Sequence, residues 1–182
     1  MIWYILLAVL AVFSIIALIA STKPDDWTIQ RQATLPADPA KIFPYLDDLH
    51  KFLAWSPWAN EDPNMKLTFG DPAIGSGAHC TWEGNGKVGA GKLTITESRP
   101  NERVRCRFDF CKPLKCTNLH EFALQAEGSQ TIVTWKMSGE APWFFKLILV
   151  FVSCDKMMAD KLELGLANLK AAVDGGTTKL PG

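Results

Sequence analysis

Residues Ile2 to Ala20 read IWYILLAVLAVFSIIALIA, with Ser14 as the only polar side chain and no charge. At about 1.5 Å per residue, a helix of this length spans roughly 28 Å, close to the roughly 30 Å hydrocarbon core of a bilayer. Trp3 and Tyr4 stand where an interfacial aromatic anchor belongs, and Lys23-Pro24 ends the run with a charge and a helix stop. The pattern predicts an uncleaved membrane anchor carrying a soluble domain. The alternative is a cleaved signal peptide, which wants a basic start, a shorter apolar core and small residues just before the cut. Here no Lys or Arg precedes the run, and a cut after Ala20 leaves the bulky Leu18 at the third position before it. Lys23 and Arg31 lie downstream, so the positive-inside tendency favours a cytoplasmic domain.

The domain plan that follows is an anchor at 1–20, a linker at 21–26, one domain at 27–174 and a flexible tail at 175–182. Basic and acidic residues balance at 19 each, with no basic run, which argues against a nucleic-acid partner. Seven Trp and ten Phe must fill a core or line a cavity. The five cysteines are an odd number without tight pairing motifs, which fits a reducing compartment rather than a disulfide framework. Cys106, Cys111 and Cys116 are spaced too widely for the close ligand pairs of a zinc site, and read as small buried hydrophobes. No metal or cofactor is predicted. The glycines of GNGKVGAG lack the Lys-Ser/Thr ending of a phosphate loop and read as hairpin glycines. Oligomeric state is not legible.

Trp27 to Leu35 alternates as a strand, and Asp38-Pro39 opens a helical stretch that Pro44 divides, giving two short helices between Asp38 and Leu53. The segment AWSPWANEDPNM is a loop, with Trp55 and Trp58 as anchors. Strands are then expected at Met65–Phe69, Ala78–Glu83, Gly91–Glu97, Glu102–Phe110, Lys115–Gln125 and Gln130–Ser138, separated by turn residues. In RVRCRFDF, Val104, Cys106, Phe108 and Phe110 share one face while Arg103, Arg105 and Arg107 share the other, as in a half-buried antiparallel strand. From Leu147, the positions Phe151, Cys154, Met158, Leu162, Leu166, Leu169 and Val173 step at helical period, and Gly175-Gly176 stops them. The opening WFFKLILVFV is apolar nearly all round, either a separate short helix against something greasy or part of the core.

This order, together with AKIF, LHKFLAWSPW, GSGAHCTWE, VGAGKLTITESRP and TIVTWKMSG, resembles the SRPBCC (START/Bet v 1-like) superfamily, and within it the polyketide cyclase/dehydrase-type proteins. The resemblance runs from about Trp27 to Val173. It implies an α+β helix-grip fold, a curved seven-stranded antiparallel sheet around a long C-terminal helix. It also implies a cavity for an apolar small molecule or lipid between them.

Alternation turns Trp82, Leu93, Ile95, Cys106, Phe108 and Phe110 inward, together with Phe122, Leu124, Val133, Trp135 and Met137. Period two adds Asn118 and His120 to the face of Phe122, and Glu97 to that of Ile95. The expected ligand-binding set is therefore Trp82, Ile95, Glu97, Cys106, Phe108, Asn118, His120, Phe122 and Trp135. Burial is expected to push Glu97 up and His120 down in pKa. These two are the candidate acid and base of a cyclase or dehydratase; the alternatives are ligand orientation or a solvated, inert position. Asp155 is expected to pair with an arginine or cap a helix. No G-x-S-x-G elbow, H-E-x-x-H or C-x-x-C is present. Membrane-tethered binding of an apolar molecule leads, ahead of a cyclase or dehydratase and of a filled-core interaction domain.

Overall fold

A computed structural model describes residues 1–175. Its order is α1 (Ile2–Ser21), β1 (Asp26–Leu35), α2 (Pro39–Ile42), α3 (Pro44–Asp47) and α4 (Leu49–Trp55), then a 3₁₀ turn at Ala59–Glu61. The strands β2 (Lys66–Phe69), β3 (His79–Glu83), β4 (Ala90–Arg99), β5 (Arg103–Lys112), β6 (Cys116–Glu127) and β7 (Gln130–Glu140) follow, and α5 (Trp143–Leu149) and α6 (Cys154–Val173) close the chain. All neighbouring strands are antiparallel, in the order β1-β7-β6-β5-β4-β3-β2. This is the helix-grip architecture expected. Of the predicted tail, residues 176–182 lie outside the described residues, and Gly175, at φ +79, turns the chain out of α6.

Three short helices stand where two were expected, because the chain is interrupted twice. Pro44 opens α3 at a position where no N–H is needed, and Asp48, in extended backbone, caps α4 by accepting from the His50 N–H at 2.9 Å. The long C-terminal helix does not begin at Leu147. The chain breaks after α5, and Ser153 restarts it by accepting from the Lys156 N–H at 3.2 Å. Phe151 therefore falls in the break, 72 % exposed and outside the stripe. Leu162, Leu166, Leu169 and Val173 are buried under the sheet as the periodicity implied. Arg31, on the inner face of β1, pairs with Asp155 at 2.9 Å and Glu163 at 3.0 Å on α6.

The strand register sets the sheet's inner face in transverse rows. Trp82, Gly91 and Phe110 share an end row. The next row runs Phe69, Cys80, Leu93, Phe108, Asn118, Gly139 and Trp27 across all seven strands. Then come Ile95, Cys106, His120, Met137 and Ile29, and beyond them Ser98, Val104, Phe122, Trp135 and Arg31. The row of Phe122 and Trp135 is solid. Phe52, Trp55, Phe122 and Trp135 meet largely edge to face with ring centroids 5.0–5.9 Å apart, and the Trp55 indole donates to the Tyr45 carbonyl at 2.8 Å.

α1 stands outside this core. Ala20 is its only buried residue, it touches α5, and at twenty residues it is long and apolar enough to cross a membrane.

Candidate ligand-binding cavity

The first two rows, and the His120–Met137 part of the third, do not close fully against the helices. Between them and α4, the following loop and α6 lies a partly enclosed cavity of about 240 Å³. Its floor is Leu67, Trp82 and Phe110, then Cys80, Leu93, Phe108 and Asn118, then His120 and Met137. Phe52 and Leu53 of α4, Ser56, Trp58 and Ala59, Met65 and α6 Met158 cover it, with Lys87 and Val88 at the β3–β4 hairpin. For scale, an engineered apolar void of about 150 Å³ holds a benzene molecule, so this one takes a larger molecule but not a whole phospholipid.

Two glycines shape the floor. A Cβ on Gly91 would stand 2.6 Å from the Trp82 ring, and one on Gly139 would stand 2.7 Å from Asn118 Oδ1 and 3.0 Å from the Trp27 ring. Their absent side chains let two indoles and an amide lie against the sheet. Trp82 is held there by donating from Nε1 to the Val88 carbonyl at 3.0 Å. The nearby loop is organised by Asp62, which accepts from the Asn64 N–H at 3.0 Å and the Asn85 N–H at 2.6 Å.

His120 is the chemical centre of the cavity wall. It is 4 % exposed, stacked on Phe108 with centroids 4.1 Å apart, and flanked by Trp58 and Trp135. Burial pushes its pKa down to about 3, so the imidazole is neutral. Its Nδ1 has no hydrogen-bond partner among the described residues, a costly state for a buried polar atom. Burial likewise lifts the Cys80 thiol to about 11. Among the described residues the lining contains no carboxylate.

A family described as "Polyketide cyclase / dehydrase and lipid transport" matches residues 26–174. The chain belongs to this family. Solved structures share its fold at low identity. Protein MLL2253 from Mesorhizobium loti is 14% identical with a TM-score of 0.60, covering 82% of this chain and 98% of its own. Protein CV1439 from Chromobacterium violaceum is 15% identical at 0.57, with coverages of 81% and 96%. An Aha1 dimer from Colwellia psychrerythraea is 21% identical at 0.54, with 82% and 98%. No curated protein matches the chain.

Within this polyketide cyclase/dehydrase and lipid transport fold, the expected site residues divide three ways. Trp82, Phe108, Asn118 and His120 line the cavity. Ile95, Cys106, Phe122 and Trp135 point inward but lie in the close-packed core, where burial drives the Cys106 thiol well above its ordinary pKa. Glu97 is not at the cavity at all. A bulge between Ile95 and Glu97 puts two consecutive residues on the outer face, so the inward phase resumes at Ser98, whose hydroxyl donates to Asp47 at 2.5 Å. Glu97 instead sits among Arg99, Arg103 and Arg105 at 2.5, 2.9 and 3.0 Å. The Arg103 hydrogen bond holds its carboxyl below the usual range, the reverse of the burial shift expected.

The sequence-based expectation missed the covering residues Phe52, Leu53, Ser56, Trp58, Met65 and Met158. The spacing of Phe52 from Trp55 and Ser56 gives α4 an inward side, and Met158 belongs to the α6 stripe, so part of that signal was present.

Proposed function

We propose that the chain is a membrane-tethered carrier of a small apolar molecule bearing one hydroxyl or carbonyl group. The observation that carries this is the aromatic and aliphatic cavity with a single buried, neutral imidazole in its wall whose Nδ1 has no partner among the described residues. Apolar surface supplies the binding energy, and one polar contact to His120 fixes orientation. Residues 1–20 serve as the anchor, 21–26 as the linker and 27–174 as the binding domain, with Lys23 and Arg31 assigning that domain to the cytoplasmic side. β1 begins at the same end of the sheet as the cavity rows, which favours a ligand drawn from the membrane.

A cyclase or dehydratase role finds less support. The carboxylate it needs is outside, and an imidazole of pKa about 3 is a weak general base at neutral pH. A filled-core role conflicts with a void of about 240 Å³.

The test is binding of a naphthalene-type probe to the detergent-solubilised full chain, read by quenching of Trp58 and Trp82 and by native mass spectrometry. Uptake of naphthol and its loss in His120→Phe, with uptake of naphthalene retained, is the expected pattern. No uptake of either probe by the folded wild type ends the carrier proposal.

A further inference from the structure

Segment 143–152 is built inside out. A helix on the surface of a soluble domain turns its charges to water and its apolar stripe to the core. Here Lys146, the only charged residue of the segment, is 8 % exposed, while Trp143, Phe144, Ile148 and Phe151 are 51, 46, 43 and 72 % exposed. Phe144, Ile148 and Phe151 recur at four and three residues, so they form one outward stripe, and Trp143 and Val152 widen it. Phe145 and Leu149 face the other way and pack against the core.

The place of this stripe decides what covers it. Lys146 Nζ donates to Asp25 Oδ1 at 2.5 Å, and the Ala141 N–H donates to the Asp25 carbonyl at 2.7 Å. Both bonds clamp α5 to the linker just beyond α1. α1 itself touches α5, and just beyond it a shallow groove lies between the linker and the start of β1, with Lys23, Pro24, Asp26 and Trp27, and the end of α5, with Leu149, Phe151 and Val152. α1 and α5 thus lie side by side, each with exposed apolar side chains.

We infer that α5 and the turn after it lie in the lipid interface beside α1, a second membrane contact that fixes the orientation of the domain. The partner is a bilayer surface: aromatic rings and aliphatic side chains seat about 5–10 Å into the headgroup boundary, and the lone charge is withdrawn into a protein ion pair. This inference rests on the proposal that α1 sits in a membrane.

The test uses the full chain in phosphatidylcholine vesicles whose acyl chains carry bromine either near the headgroup or near the bilayer centre. The quenched tryptophan signals of Trp3 and Trp143 are isolated by difference against Trp3→Phe and Trp143→Phe. The expected result is quenching of both, with Trp143 quenched at least about twofold more by the shallow bromine than by the deep one. The double variant Phe144→Asp/Ile148→Asp, at two exposed positions, should lift the quenching of Trp143 and leave that of Trp3 unchanged. Quenching of Trp3 without Trp143 overturns the α5 contact and leaves the anchor standing. Quenching of neither overturns both. A dimer that shields Trp143 from lipid and dissociates in the double variant also overturns the inference, since a second copy then covers the stripe.

Discussion

The two halves of the inner sheet face are built from the same alternation and end in opposite states. Around Phe122 and Trp135 the rows are solid; around Phe108 and His120 they face a void. Strand chemistry does not make the difference, since both halves present aromatic and aliphatic side chains at period two. What lies opposite makes it. Trp55 meets Phe122 and Trp135 edge to face in the far rows, and α6 comes close to them at Gly165, where a Cβ would stand 2.5 Å from the Trp135 ring. Over the near rows, the cover is the short α4, a loop and Met158. Period sets the facing of a residue, whereas the reach of the layer above decides whether that residue lines a core or a cavity.

This contrast can be broken by mutation, and the largest effect belongs to the solid half. Trp135→Ala should cost about 3–5 kcal/mol, and Phe108→Ala, already beside empty space, less than half of that, measured by denaturant unfolding followed with circular dichroism. Equal losses would erase the distinction between the halves. Overfilling gives the next test. Cys106→Phe, in the packed core, should destabilise by about 1–3 kcal/mol, whereas Cys80→Phe should fill the cavity, abolish probe uptake and cost less. Probe uptake that survives Cys80→Phe would mean that the void is not the binding site.

Acid stability separates the halves more finely. His120 takes up a proton near pH 6.5 when unfolded but only near pH 3 when folded, so the unfolded state binds more protons between those values. Stability should therefore fall as pH drops below about 6.5, by up to about 1.4 kcal/mol per pH unit from this group. His120→Phe should be measurably less acid-sensitive over that window, and identical slopes would place the ring in solvent. The smallest effect is expected at Glu97→Gln. Its lowered pKa means a contribution present above about pH 4.5 and lost as pH falls through the folded value. A slight loss of stability at neutral pH with unchanged probe binding is the outcome consistent with an outward Glu97, and lost binding would contradict it.

The sheet, its strand count and the α6 stripe were legible because each rests on a repeating period. Single-residue events were not. The bulge at Thr96 adds one residue to β4 and inverts the phase of everything after it, so Glu97 was assigned to the wrong face by a rule that works for Leu93 and Ile95. The break before α6 left a usable sign, since Ser153 is a good N-cap, but the apolar residues on both sides mimic a continuous stripe. The cavity roof was hidden for a different reason. Ser56, Trp58 and Met65 sit in a loop, and no periodicity says what a loop lies over.

Only four residues, Thr22 to Asp25, separate α1 from β1. Fully extended they reach about 14 Å, roughly the radius of gyration of a domain this size, so a domain anchored through α1 has no slack to turn over. On the carrier reading proposed above, a ligand would pass between two apolar phases rather than through water. Hydrophobic transfer, the main term when a greasy molecule leaves water, nearly cancels in such an exchange. Occupancy would then be left to the small differences between cavity and bilayer, chief among them a hydrogen bond from His120 that hydrocarbon cannot match. If the domain is the membrane-tethered carrier proposed above, selection among membrane solutes would fall to one imidazole nitrogen rather than to greasiness.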